Sequence, residues 1–194
     1  LLYLQAITTS DENPAVCNAL FNPSETVDIG FAAQCDNPSS CAGQVFSFTG
    51  NETTNIVTHS ASPSTPASFT TVEMLFGSDA KAPFSFVYND AGQMQLHATY
   101  DVAETGATLS GNSPSFVVRP FAIGFPSITA GGTVNNAGDE TSGDGFTSAG
   151  SDFDVEVNGY LYASAEDLNA DGHPDAGVDV TNNGVTPNFA WATT

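Results

Sequence analysis

The chain of 194 residues carries 22 acidic and 2 basic side chains, a formal charge of -20. With only Lys81 and Arg119 available to neutralise phosphates, nucleic-acid binding and phosphoryl transfer are excluded, and an anionic membrane surface repels the chain. Charged residues are nonetheless only 12% against 40% hydrophobic, which suits a folded chain with a core rather than an acidic disordered tail.

Fourteen Phe, 18 Gly and 11 Pro among many Thr, Ser and Asn favour short strands and turns over amphipathic helices. Strands are predicted over residues 1–8, 26–33, 44–49, 55–59, 69–76, 82–88, 93–100 and 115–125. The cleanest period-two alternation is in Val27-Asp28-Ile29-Gly30-Phe31 and in Met94-Gln95-Leu96-His97-Ala98-Thr99-Tyr100. Asn89-Asp90-Ala91-Gly92 between two such runs reads as a tight hairpin turn. No apolar run of about 18 residues exists, so insertion in a membrane is not expected. After residue 125 the texture turns rich in Gly, Thr, Ser and Asn, and alternation returns at Phe153, Val155 and Val157. Pro120 interrupts ladder pairing, so a boundary is placed at Arg119 and Pro120. The expected fold is all-β: an Ig-like sandwich over 1–118, then a second β domain over 119–194, short enough to be partial or completed by a partner.

Three cysteines, Cys17, Cys35 and Cys41, lie in the first part. None forms a C-x-x-C pair, which argues against structural zinc; in a secreted chain the simplest account is one disulfide with one thiol left over, and the alternative is three reduced buried thiols. Spacing leaves all three pairings open. A Cys35–Cys41 bridge contributes roughly 2–3 kcal/mol by the loop-entropy model, and either bridge from Cys17 roughly 3–4 kcal/mol.

Chemistry concentrates in Asp167-Leu168-Asn169-Ala170-Asp171-Gly172-His173-Pro174-Asp175, the opening of a D-x-[DN]-x-[DN]-G calcium loop. Oxygens at positions 1, 3 and 5 converge when the chain turns at the Gly in position 6. Position 7 adds a main-chain carbonyl and position 9 acts directly or through water. These are Asp167, Asn169, Asp171, the carbonyl of His173, and Asp175. Position 12 is Val178 instead of a bidentate Glu, and the nearest carboxylate is Asp179. The expected cofactor is Ca²⁺ in an EF-hand-like turn without flanking helices; the alternative is a solvated loop of Asx turns. A looser acidic stretch over 135–154, with Asp139, Glu140, Asp144, Asp152 and Asp154, reads as a solvated loop.

No H-E-x-x-H or G-x-S-x-G occurs, and His59, His97 and His173 lack diagnostic neighbours, so an enzyme is not expected. Arg119 reads as a pin at the domain junction. Trp191 reads as core, with a sugar platform as the alternative.

Two stretches carry a family likeness. One runs from Ala82-Pro83-Phe84 through Asn89-Asp90-Ala91-Gly92-Gln93-Met94 to Phe116-Val117-Val118-Arg119-Pro120-Phe121; the other is the 167–177 loop followed by Thr186-Pro187-Asn188-Phe189. Together with Cys35-Asp36-Asn37-Pro38-Ser39-Ser40-Cys41 they resemble the MshQ-like proteins of mannose-sensitive haemagglutinin type IV pilus loci in Gram-negative bacteria, which contain a domain of unknown function. The resemblance implies an exported, cell-surface, pilus-associated protein that is adhesive or an assembly component, part of a longer parent, with other pilus or surface proteins as partners. It implies no catalytic residues. The chain departs from the family pattern at Gly159-Tyr160-Leu161-Tyr162, where a further Cys is usual. The expected function is a non-enzymatic, calcium-stiffened extracellular module. The alternatives are a carbohydrate-binding module recognising glycans and a filament subunit that joins its own copies by strand addition.

Overall fold

The structure is a computed structural model that describes residues 2–9, 17–41, 43–103, 105–131, 133–134, 142 and 145–189. Among the described residues the chain is all-β: fourteen strands are joined by loops and by two short 3-10 turns, Ser164–Glu166 and Val180–Asn182, with no α-helix. It divides into two compact units, Leu1–Val118 and Arg119–Thr194.

In the first unit the strands are β1 (Leu2–Gln5), β2 (Ile7–Thr9), β3 (Cys17–Ala19), β4 (Thr26–Asn37), β5 (Phe46–Thr49), β6 (Thr53–Ser60), β7 (Thr70–Leu75), β8 (Lys81–Tyr88), β9 (Gly92–Val102), β10 (Ala107–Asn112) and β11 (Phe116–Val118). Their hydrogen-bonded order is β1-β8-β5-β6-β4-β9-β10, with β7 added on β4 and β11 on β9, while β2 and β3 form a small pair of their own. Strand β6 belongs to both layers of the sandwich. Its first half pairs antiparallel with β5, from Phe46↔Ile56 to Thr49↔Thr53. Its second half pairs parallel with β4, from Ala32↔Val57 to Cys35↔Ser60.

Alternation explains which side chains meet between the layers. Val27, Ile29 and Phe31 of β4 are buried while Thr26 and Asp28 are exposed, as period two requires for a half-buried strand. Phe31 packs tilted across the gap on Phe48, ring centroids 4.4 Å apart, and Phe48 stacks within its own layer on Phe84 at 4.9 Å. Phe46 lies 4.9 Å from Phe86. Burying such a side chain contributes about 1.5–3 kcal/mol, so these rings are a large part of the core's favourable burial. From Phe31 to Cys35 the strand is buried on both faces. Near that stretch Phe69 lies over Gly30, where an added Cβ would meet Phe69 Cβ at 3.0 Å and Thr99 Cγ2 at 2.6 Å. Glycine is therefore required there for close packing.

Several predicted elements are redrawn. Asn89-Asp90-Ala91-Gly92 does not close a hairpin: β8 pairs with β1 and β5, whereas β9 pairs with β4, β10 and β11. The segment carries the chain from one layer to the other, and Asp90 and Ala91 are buried in the crossing. The predicted strand 1–8 breaks at Ala6, whose N–H donates to the Ala80 carbonyl and whose carbonyl accepts from Leu20 N–H. The predicted strand 115–125 is two strands, β11 and β12 (Ala122–Ala130), separated at Arg119 and Pro120.

In the second unit β12 lies between β13 (Thr133–Val134) and β14 (Asp154–Tyr160). The β12–β14 ladder runs from Ala122↔Tyr160 to Thr129↔Asp154, with a register shift between Gly124 and Ser127. Tyr160 is buried under Gly124, and Thr186 and Phe189 pack on Gly159. Ile123, Phe125, Val155 and Val157 remain exposed.

Candidate functional site

The 167–175 loop follows the Ser164–Glu166 turn, and its shape is set by side chains bonding to nearby amides. Asp167 Oδ1 accepts from Asp171 N–H at 3.0 Å and Oδ2 from Gly172 N–H at 2.9 Å. Asn169 Oδ1 also accepts from Asp171 N–H, at 3.0 Å, and Asp171 Oδ1 from His173 N–H at 2.9 Å. Asp175 Oδ2 accepts from Leu168 N–H at 3.0 Å, and Asp175 N–H donates to the Glu166 carbonyl at 2.7 Å. The Asn169 and Asp171 bonds are successive Asx turns, in which a short carboxylate or amide replaces a main-chain acceptor, while the Asp167 and Asp175 carboxylates bond across the loop. Gly172 has φ +80°, a left-handed conformation that a side chain disfavours.

Asp167 is only 4% exposed. A buried carboxylate requires strong donors, and the two amides supply them. Each carboxylate has about four acceptor sites, so one amide per oxygen leaves acceptor capacity unused. Among the described residues no three side chains of His, Cys, Asp or Glu stand together as a metal cage. A cation here must therefore draw on Asn169 and the His173 carbonyl beside the aspartates. That all-oxygen set suits a hard cation such as Ca²⁺ and is a poor match for zinc or copper.

Arg119 extends to this loop. Its Nη2 donates to the Gly172 carbonyl and its Nη1 to the Pro120 carbonyl at 3.2 Å. Asp179 lies outside the network and caps the Val180–Asn182 turn, accepting from Thr181 Oγ1 at 2.6 Å and Thr181 N–H at 3.0 Å. Those bonds, the hydroxyl's first, hold its carboxyl below the ordinary value. Asp139, Glu140, Asp144 and Trp191 lie outside the described residues.

In the first unit Cys35 and Cys41 form a disulfide with Cα atoms 5.4 Å apart, and Cys17 is a free, exposed thiol. One polar cluster was not anticipated. Gln34, 6% exposed, accepts at Oε1 in a 3.0 Å hydrogen bond with His97 Nε2 and donates to Asp36 Oδ1. Asp36 Oδ2 in turn accepts from Ser115 Oγ at 2.9 Å. The His59 ring stands edge-on to His97, 5.5 Å between centroids, and its Nε2 is buried without a hydrogen-bond partner. Burial lowers the His97 pKa, the neighbouring His59 adds to that, and Asp36 opposes it. Ser115 bonds to Asp36 and His97 to Gln34, so the cluster pairs no hydroxyl nucleophile with an imidazole base. The strand phase of His97 was legible, but Gln34 lies beyond the predicted strand 26–33, and their juxtaposition depends on the β4–β9 register.

No curated protein and no solved structure matches this chain. Residues 1–112, more than half of the 194, match the family model described as domain of unknown function DUF6701, first Ig-like domain, and the protein belongs to that family.

Proposed function

We propose that the protein is a non-enzymatic module of an exported, pilus-linked surface protein or adhesin, and that Ca²⁺ stiffens its 167–175 loop. The observation that supports the calcium reading is the acceptor capacity left at the bend: buried Asp167 takes one amide per oxygen, and Asn169 and Asp171 follow it at the spacing a calcium loop uses. Asp167, Asn169, Asp171, Asp175 and the His173 carbonyl are the groups that hold the ion. The bound ion supplies charge neutralisation and cross-linking of a loop that otherwise rests on its own hydrogen bonds.

Export is supported by the Cys35–Cys41 disulfide, which persists in an oxidising compartment. The pilus association rests on the likeness to MshQ-like proteins. Calorimetric titration with Ca²⁺ and paired melts in Ca²⁺ and chelator test the loop. Asp171→Ala lowers the melting temperature more in Ca²⁺ than in chelator, where it costs only exposed hydrogen bonds such as that from His173 N–H. Equal melting of the unmodified chain in both conditions overturns the calcium reading.

A second reading, completion of the second unit by another copy of the chain, is favoured by one observation. Ile123, Phe125, Val155 and Val157 are 56%, 60%, 42% and 42% exposed on a three-stranded sheet, and a sheet face of this kind ordinarily packs against a second layer. A purely monomeric elution at high concentration and physiological salt excludes it.

A further inference from the structure

The sandwich of the first unit is closed on one side and open on the other. Strand β6 joins the layers at the closed side, and β1 and β10 end the two layers at the open one. Between them lies a groove of about 600 Å³. That volume is within the ordinary range of ligand sites.

The floor is Ile29 and Phe31 of β4 with Leu96 and Ala98 of β9; Leu4 and Leu109 stand on the two walls. Leu109 is opposite Tyr100 and Gly111 opposite Ala98, so β10 turns these two positions toward the same face as the floor. An added Cβ at Gly111 would meet nothing within 4 Å. Among the described residues that line the groove none bears a formal charge with His97 neutral, although the chain as a whole carries -20. One of the two bases stands beside the β1 wall: Lys81 Nζ lies 4.5 Å from the Tyr3 ring centroid.

Two demands meet in this groove. The apolar floor is stabilised by exclusion of water, whereas the outward N–H and C=O groups of a terminal strand require hydrogen-bond partners once water leaves. A small apolar ligand meets the first demand and leaves the second unmet. An extended peptide meets both, because its main chain pairs with the edge while alternate side chains enter the floor.

We propose that the groove between β1 and β10 receives an extended segment of a partner chain, added as a strand on the edge of β10. The segment is about six residues long, matching Ala107–Asn112. It is uncharged with apolar side chains at alternate positions, since the described groove residues offer no countercharge. Basic residues flank it, because the field of an acidic protein favours them. The proposal stands independently of the calcium loop and of the adhesin reading.

The probe is a capped peptide of alternating valine and threonine with lysines at both ends, titrated into the ¹⁵N-labelled full chain at physiological salt. The expected result is saturable amide shifts centred on β1 and β10. Gly111→Phe, which fills the groove from an exposed edge position, and Leu109→Asp, which puts a carboxylate on its wall, each weaken binding by roughly tenfold or more. A peptide of equal composition with valines and threonines in adjacent pairs also binds at least about tenfold more weakly. Absence of shifts at millimolar peptide, equal binding of the paired control, or shifts centred elsewhere overturns the proposal. Binding of neutral N-phenylnaphthylamine in the groove without competition from the peptide also overturns it, in favour of a small-ligand site.

Discussion

The two units solve the problem of stability in different ways. The first holds a continuous core in which Phe46, Phe48, Phe76, Met74 and Met94 are at most 1% exposed. In the second, Phe121 and Tyr160 are the only buried apolar side chains of Val, Leu size or larger among the described residues, and a buried carboxylate, Asp167, is bound by two amides. Hydrophobic burial therefore carries the first unit, whereas local hydrogen bonding carries much of the second. A ligand that binds only the folded loop has correspondingly more to contribute there.

The largest expected effect is on the aromatic core. Phe48→Ala removes a fully buried ring packed on Phe31 and Phe84 and lowers stability by about 3–5 kcal/mol. Val157→Ala on the exposed sheet face changes it by no more than about 0.5 kcal/mol. Chemical denaturation of both variants checks the contrast, and equal losses break it.

Calcium comes next. At a free concentration a hundred times the Kd, a native-only ligand adds about 2.7 kcal/mol, a gain that Asp171→Ala removes. Asp167→Asn sharpens the distinction. It lowers stability in chelator as well, because the buried carboxylate accepts from two amides whatever the ion does. Paired melts of the two variants in Ca²⁺ and chelator separate ion binding from turn formation.

Reduction of Cys35–Cys41, or Cys41→Ser, lowers the stability of the first unit by roughly 2–3 kcal/mol. Denaturation with and without a reductant measures it, and Cys17→Ser serves as the neutral control.

The smallest effect is on pH dependence. The folded-state pKa of His97 lies below its ordinary value, so between the two values the unfolded chain binds more protons. Stability is full above the ordinary histidine range and falls as pH drops through it. Melts from pH 7 down to pH 5, compared with His97→Gln, isolate this contribution, with His59, Gln34 and Asp36 facing the ring as the groups that modulate it. An unchanged pH slope in the variant removes the cluster from the account.

Some of this architecture was legible from single residues. Alternation in Val27-Asp28-Ile29-Gly30-Phe31 marks a half-buried strand whatever it pairs with. Strand β10 was not legible: all six residues of Ala107–Asn112 are exposed, so no apolar rhythm distinguishes them from a loop. The Asn89-to-Gly92 segment has the composition of a hairpin turn, but turn chemistry specifies a change of direction and not the strand that lies alongside.

By itself the sequence determined what depends on neighbours a few residues apart: an all-β chain, and the bend of the 167–175 loop, where every side-chain acceptor reaches an amide within seven residues. Only the tertiary structure decided which cysteines join, that β8 and β9 lie in different layers, that His97 meets Gln34, and that an apolar groove stays open between β1 and β10. Those outcomes follow from strand register between distant segments, such as Gly30 opposite Thr99. Register is chosen by the packing of both faces at once, which no local window of sequence contains.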